Sequence, residues 1–176
     1  MKKLLSSLFV LAFMLVSVQS FAQYKKGDKL LNAGIGLGAY YGGGIPLGAS
    51  FEVGVTDEIS VGAQADFYTW GYNFGGGYRY RYTFLPIGVR GSYHVNELLN
   101  LGVDNLDLYG GLSLGYYISS YRDNSGYSGF YDNAYGNRVF LGVHIGGRYY
   151  FKPNLGAFAE VGYGVAPLKI GVAFKF

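Results

Sequence analysis

From Leu31 onward this chain is built on a period of two. In the first run Leu31, Ala33, Ile35, Leu37 and Ala39 fall on one side, with Asn32, Gly34, Gly36 and Gly38 on the other. A second run starts at Ile45 and sets Leu47, Ala49, Phe51, Val53 and Val55 against Gly48, Ser50, Glu52 and Gly54. A third sets Ile59, Val61, Ala63, Ala65 and Phe67 against Ser60, Gly62, Gln64, Asp66 and Tyr68. Side chains that alternate in this way point to opposite faces of an extended strand, whereas a helix would repeat every 3.6 residues.

The pattern continues to the end of the chain. The fourth run, around 79–95, carries Tyr78, Tyr80, Tyr82 and Phe84 in even positions but Leu85, Ile87, Val89, Tyr93 and Val95 in odd ones. A slip of phase beside Pro86 predicts a β-bulge, because proline has no N–H for the ladder. Four further runs lead with Leu106, Val139, Leu155 and Leu168. Eight runs of about nine to fourteen residues are long enough to cross a bilayer at a tilt near 40°. An even number of strands leaves both termini on one side, the periplasmic side in barrels of this class. The long connections 71–78 and 119–137 then lie outside. The connection 96–105 is long for a periplasmic turn, and a short amphipathic helical turn would fit it.

Composition decides which face of such a barrel meets water. Only 14% of residues are charged, against about 25% in an average soluble domain, and the aliphatic face carries essentially no charge in mid-strand. A soluble lipocalin-like barrel would need an outer face dense in Lys and Glu. Lipid contact demands the reverse, since Arg or Lys at mid-membrane costs about 2–4 kcal/mol. Tyr40, Tyr41, Trp70, Tyr72, Tyr78, Tyr80, Tyr82, Tyr116 and Tyr117 gather at one set of strand ends, and Tyr93, Tyr149, Phe151 and Phe176 at the other. Two aromatic bands match the girdles of a membrane barrel. The expected fold is all-β: an eight-stranded antiparallel up-and-down transmembrane β-barrel.

Residues 1–22 read as a cleaved signal peptide. Lys2 and Lys3 precede an apolar stretch from Leu4 to Val18, and Ser20-Phe21-Ala22 offers small residues to the peptidase. The barrel domain is then 23–176, and removal of two lysines lowers the net charge from +3 to +1. No basic patch for nucleic acid remains. The absence of cysteine excludes disulfides, thiolate metal sites and lipoprotein anchoring.

The ending Leu168-Lys169-Ile170-Gly171-Val172-Ala173-Phe174-Lys175-Phe176 resembles the assembly signal of outer-membrane β-barrel proteins. Residues 27–176 as a whole resemble the small eight-stranded barrels typified by outer membrane proteins X and A. The segments Phe84–Arg90 and Tyr109–Tyr117 are similar to those of uncharacterised outer-membrane barrel-domain proteins. The resemblance implies residence in a bacterial outer membrane after export through the periplasm. The partners it implies are outer-membrane lipids and the barrel-assembly machinery, engaged through Phe176. It implies no particular activity.

Eight strands enclose a lumen that side chains fill. Parity places Glu52, Asp66, Asp107 and Glu160 inside with Arg90, Arg148, Lys169 and Lys175, a balance that avoids unpaired buried charge. Hairpin geometry predicts Glu160 opposite Gly146, in a network with Arg148 and Lys169. His94 faces Asp107, with Ser92 on the same face, while His144 stands alone at mid-strand. A lipid-trimming enzyme of the outer leaflet would use Ser, His and an acid, but this set points into the lumen. Neither a catalytic residue nor a metal or cofactor site is expected. The connection 119–137 supplies candidates for surface interaction in Tyr121, Arg122, Tyr127, Phe130, Tyr131 and Tyr135, since tyrosine among small polar residues suits binding loops. The function expected is a structural or surface-interacting role with an unidentified extracellular ligand. The alternatives are a narrow porin-like channel and an outer-leaflet lipid-modifying enzyme.

Overall fold

The computed structural model describes residues 24–73, 79–100, 102–123 and 135–176. The signal segment 1–22 lies outside them. Eight strands follow one another in the chain: β1 (Lys29–Gly36), β2 (Leu47–Gly54), β3 (Ile59–Asn73), β4 (Arg79–His94), β5 (Leu106–Asp123), β6 (Arg138–Lys152), β7 (Leu155–Tyr163) and β8 (Leu168–Lys175). Each pairs antiparallel with its neighbours, and β8 returns to β1 with Ala33 opposite Val172. Closure leaves no free edge, so every strand is paired on both sides.

The outward face is the aliphatic one. Along β6 it reads Val139, Leu141, Val143, Ile145, Gly147, Tyr149, and each large side chain of the row is more than half exposed. Ten residues of tilted strand span about 25 Å, the height of a lipid-facing belt. Among the described residues no charged side chain interrupts that belt. Tyr40 and Tyr163 mark its distal edge beside β1 and β7, Leu85 and Ile118, one row beyond Tyr116, mark it on β4 and β5, and Tyr93, Tyr149 and Phe151 line the edge near the termini.

Two expectations about β4 need correction. There is no bulge at Pro86: β3 and β4 keep one register from Ile59↔Tyr93 to Asn73↔Arg79, as do β4 and β5. Pro86 faces the lumen, fully buried, and the two faces of β4 never exchange. The apparent slip arose because both faces are apolar at this end. The even-numbered rings belong inside. Tyr82 and Phe84 pack with Tyr68, Tyr117 and Phe140 in a buried cluster, with Tyr41, Trp70 and Tyr80 against it. Five of the nine aromatics expected in the distal girdle, Tyr41, Trp70, Tyr80, Tyr82 and Tyr117, thus fill the barrel instead, and Tyr78 lies outside the described residues. The register shift that does occur lies between Tyr150 and Lys152, where β6 turns into β7.

The connections explain the remaining differences. The link from β1 to β2 covers 37–46, and Gly38, Gly42, Gly43 and Gly44 all have positive φ. This lets the chain fold over the distal mouth rather than away from it. The linkage 95–105 contains a single helical turn, with Leu99 N–H donating to Val95 O at 2.9 Å and Asn100 at φ 48°. It is held by Asn96, whose amide bonds Leu106 O and whose oxygen accepts from Leu108 N–H. β3 to β6 are 15 to 18 residues long and the other four 8 or 9. The wall therefore stands taller on one side.

Candidate functional site

Glycine on one strand makes room for a long side chain from another, and in this lumen the long ones are charged. Arg148, fully buried, enters from β6 beside Gly146 and Gly147 and crosses to the far wall. Its guanidinium donates to Asp107 Oδ2 at 2.8 Å, to Glu52 Oε2 at 3.1 Å and to Asn32 Oδ1 at 2.9 Å. One face of it lies 3.9 Å from the centre of the Tyr109 ring. Each of its three nitrogens has an acceptor, which is what lets a buried guanidinium be tolerated.

Arg90 is the second hub. Its Nη2 donates to Glu160 Oε1 at 2.7 Å, and its Nε lies 3.2 Å from Glu52 Oε2. Tyr109 also donates to Glu160 Oε1, at 2.9 Å. Glu160 thus shares a network with Arg148, as expected, but through Asn32, Arg90 and Glu52 rather than by direct contact; the expected link to Lys169 is not made, although Gly146 and Lys169 do stand opposite Glu160 in the ladders. Lys169 reaches away to Asp66, with 2.6 and 2.8 Å to its two oxygens. Arg148 pairs with Glu52 and Asp107 instead of Glu160. Lys175 sits at the rim, 3.6 Å from Asp28 and over the Tyr150 ring.

Both histidines join this layer. His94 Nδ1 is 2.6 Å from Asp107 Oδ1, and its Nε2 is 2.9 Å from Ser60 Oγ, a serine the sequence reading did not single out. Ser92, expected beside His94, donates to Glu52 Oε1 at 2.6 Å and lies 3.0 Å from His144 Nε2. His144 is thus not alone. Ser60, His94 and Asp107 have the connectivity of a hydrolytic triad. Ser60 also donates to Glu52 Oε1 at 3.0 Å, and all three residues are buried inside the barrel, where they tie β3, β4 and β5 together. The lumen thus holds Glu52, Asp66, Asp107 and Glu160 with Arg90, Arg148, Lys169 and the two histidines.

The layer is closed from both ends. On the terminal side Tyr24 covers it, buried, with its hydroxyl donating to Ile59 O at 2.5 Å or Thr56 O at 2.9 Å. Burial, and then the neighbouring Asp107 and Asp28 charges, hold that phenol above its usual pKa. On the distal side stands the aromatic cluster, tied to the connections by Tyr68 O–H to Tyr41 O (2.7 Å) and Tyr117 O–H to Gly164 O (2.7 Å). Between them remains a cavity of about 30 Å³ beside Arg90, His144, Glu160 and Lys169, enough for a water or two. Among the described residues no group of His, Asp or Glu is arranged to hold a metal ion.

Of the six candidate loop residues, Tyr121, Arg122 and Tyr135 are described. Tyr127, Phe130 and Tyr131 lie outside the described residues. Tyr121 turns inward, its ring 4.7 Å from Tyr82, and Tyr135 packs edge-on against Tyr41, Trp70, Tyr82 and Phe84. These two belong to the stopper. Arg122 points outward and is exposed.

No protein-family model matches the chain, and no curated protein matches it in sequence. Solved structures match it in fold. The outer membrane protein OprG of Pseudomonas aeruginosa superposes with a TM-score of 0.66 at 15% identity, covering 89% of this chain and 99% of that one. Neisserial surface protein A gives 0.60 at 17% identity, covering 86% and 98%. Ail, the attachment invasion locus protein of Yersinia pestis, crystallised with the heparin analogue sucrose octasulfate, gives 0.55 at 14% identity, covering 86% and 99%.

Proposed function

We propose that this chain, which has the closed eight-stranded architecture of the small transmembrane barrels of bacterial outer membranes, is an integral outer-membrane protein, and that its barrel is a sealed scaffold which carries the distal connections at the cell surface. It acts there by contact rather than by catalysis or transport. The observation that carries this reading is the double closure of the lumen, ion-paired in the middle and near the termini, aromatic at the distal end. Opening a path for solute would require breaking several buried ion pairs at once, each costing about 3–5 kcal/mol when one partner is lost. The proteins of like fold support the reading, since one is described as a surface protein and another as an attachment protein.

The test is single-channel conductance of the barrel in a planar bilayer, on material whose heat-shifted gel mobility shows that it is folded. Silence is the expected result. Steady conductance that disappears on unfolding would make the protein a small porin and overturn the scaffold reading.

A further inference from the structure

Arg81 and Arg122 stand directly opposite each other where β4 pairs with β5. Both are exposed and both lie on the outward face, in phase with Leu85 and Ile118. Directly opposed residues of an antiparallel pair have Cβ atoms about 5 Å apart, and like charges in that position repel. Among the side chains that are described, no carboxylate lies within ion-pairing distance of either. In the lumen, by contrast, Arg90 and Arg148 each pair with two acids.

Their height is equally specific. Above the last apolar pair, Leu85 and Ile118, comes one row of hydroxyls, Thr69, Thr83 and Ser120, which the ladders place side by side. The arginines form the next outward row. Four residues beyond Leu85 and Ile118, at about 3.4 Å per residue and a tilt near 40°, they stand about 10 Å above the apolar belt. The headgroup layer is about 5–7 Å deep on each side, so their backbone stands just above it, and an arginine side chain is long enough to bring its guanidinium back to the phosphates. The tall side of the wall, β3 to β5, exists at this height only because these strands outrun their neighbours.

We propose that Arg81 and Arg122 form a binding site for the phosphate of an outer-leaflet lipid headgroup, with the Thr69–Thr83–Ser120 row beneath it. Two guanidinium forks offer parallel N–H donors to one phosphate and convert the repulsion between them into shared attraction. The site is continuous with the lipid belt, so its occupant is a lipid already held by its chains, not an anion arriving from solution. The proposal rests on the membrane-spanning reading above.

The experiment is native mass spectrometry of the folded barrel in detergent, with diphosphoryl lipid A and its monophosphoryl form as probes. The variants are the double substitution Arg81→Gln with Arg122→Gln, the double substitution of both to Lys, and Lys152→Gln as a control on an exposed charge at the opposite end. Each basic residue at a membrane surface contributes about 1 kcal/mol, so the Gln pair should lower diphosphoryl lipid retention about thirtyfold. The Lys pair should retain an intermediate amount, and Lys152→Gln should match the parent. Equal retention by the Gln pair, or equal loss with Lys152→Gln, overturns the proposal. So does displacement of the lipid by millimolar inorganic phosphate, which would make the pair a site for free anions. Heat-shifted mobility and vesicle insertion of the same variants report on the membrane-spanning reading separately.

Discussion

The ring of Tyr24 lies flat on that of His94, with centroids 3.5 Å apart and planes within 2° of parallel. The residue comes before the first strand, yet it closes the proximal mouth, aided by Lys26 N–H bonding Asp57 and Gly27 N–H bonding Gly54 O. Replacing it with alanine should cost about 3–5 kcal/mol, as for other large buried rings. Urea unfolding from vesicles, followed by fluorescence of the sole tryptophan, Trp70, checks this. Because the folded state raises the pKa of the phenol, its contribution is complete below the unfolded value of about 10 and declines as pH rises beyond it. Tyr24→Phe should therefore lose stability less steeply than the parent above pH ~10. Parallel slopes would contradict the buried phenol.

Glu52 accepts from Ser60, Ser92 and Arg148 and lies against Arg90. Glu52→Gln keeps the shape but leaves two guanidinium groups facing a neutral amide. A loss of about 3–5 kcal/mol is expected, the usual cost of orphaning one member of a buried ionic set. An unchanged urea midpoint would show that these charges are not desolvated together.

Arg90 and Glu160 provide a cleaner measurement of coupling. Arg90→Met and Glu160→Met should each destabilise the barrel strongly, and the double variant should cost less than the two losses combined. The expected interaction is about 1–3 kcal/mol, read from the same unfolding curves. Strict additivity would mean that the 2.7 Å contact carries no net energy.

At the distal end Gly42 has φ +80°, and a Cβ there would sit 2.6 Å from the Phe84 ring. Gly42→Ala should cost about 1–3 kcal/mol from backbone strain and displacement of the ring. Gly102→Ala, whose Cβ would meet nothing, should be close to neutral. Trp70 fluorescence should shift in the first variant and not in the second, since Trp70 packs in the same stopper.

The period of two made the strands and their inward set legible, because alternation reports a face whatever the tertiary context. It could not say who meets whom inside. Hairpin neighbours follow from turn positions, and Gly146↔Glu160 was found in this way. Ion pairs in a narrow barrel cross the lumen, however: Arg90 on β4 meets Glu160 on β7, and Lys169 on β8 meets Asp66 on β3. No local pattern encodes a diameter. The aromatics of β4 misled for a related reason. Tyr82 and Phe84 share parity with Arg90, and only the inward fold of residues 37–46 shows why rings belong on that side at the distal end. Tyr24 was overlooked because it precedes every run.

Arg148 belongs to β6, yet two of its three acceptor residues, Glu52 and Asn32, come from β2 and β1. In an open sheet those strands lie far from β6, and only Asp107 on the adjoining β5 is at hand. Neutralisation of the central guanidinium therefore coincides with the meeting of β8 and β1. A half-inserted sheet carries its charges bare to the hydrocarbon, whereas a shut cylinder carries none, so sealing the seam and entering the membrane become a single all-or-none step.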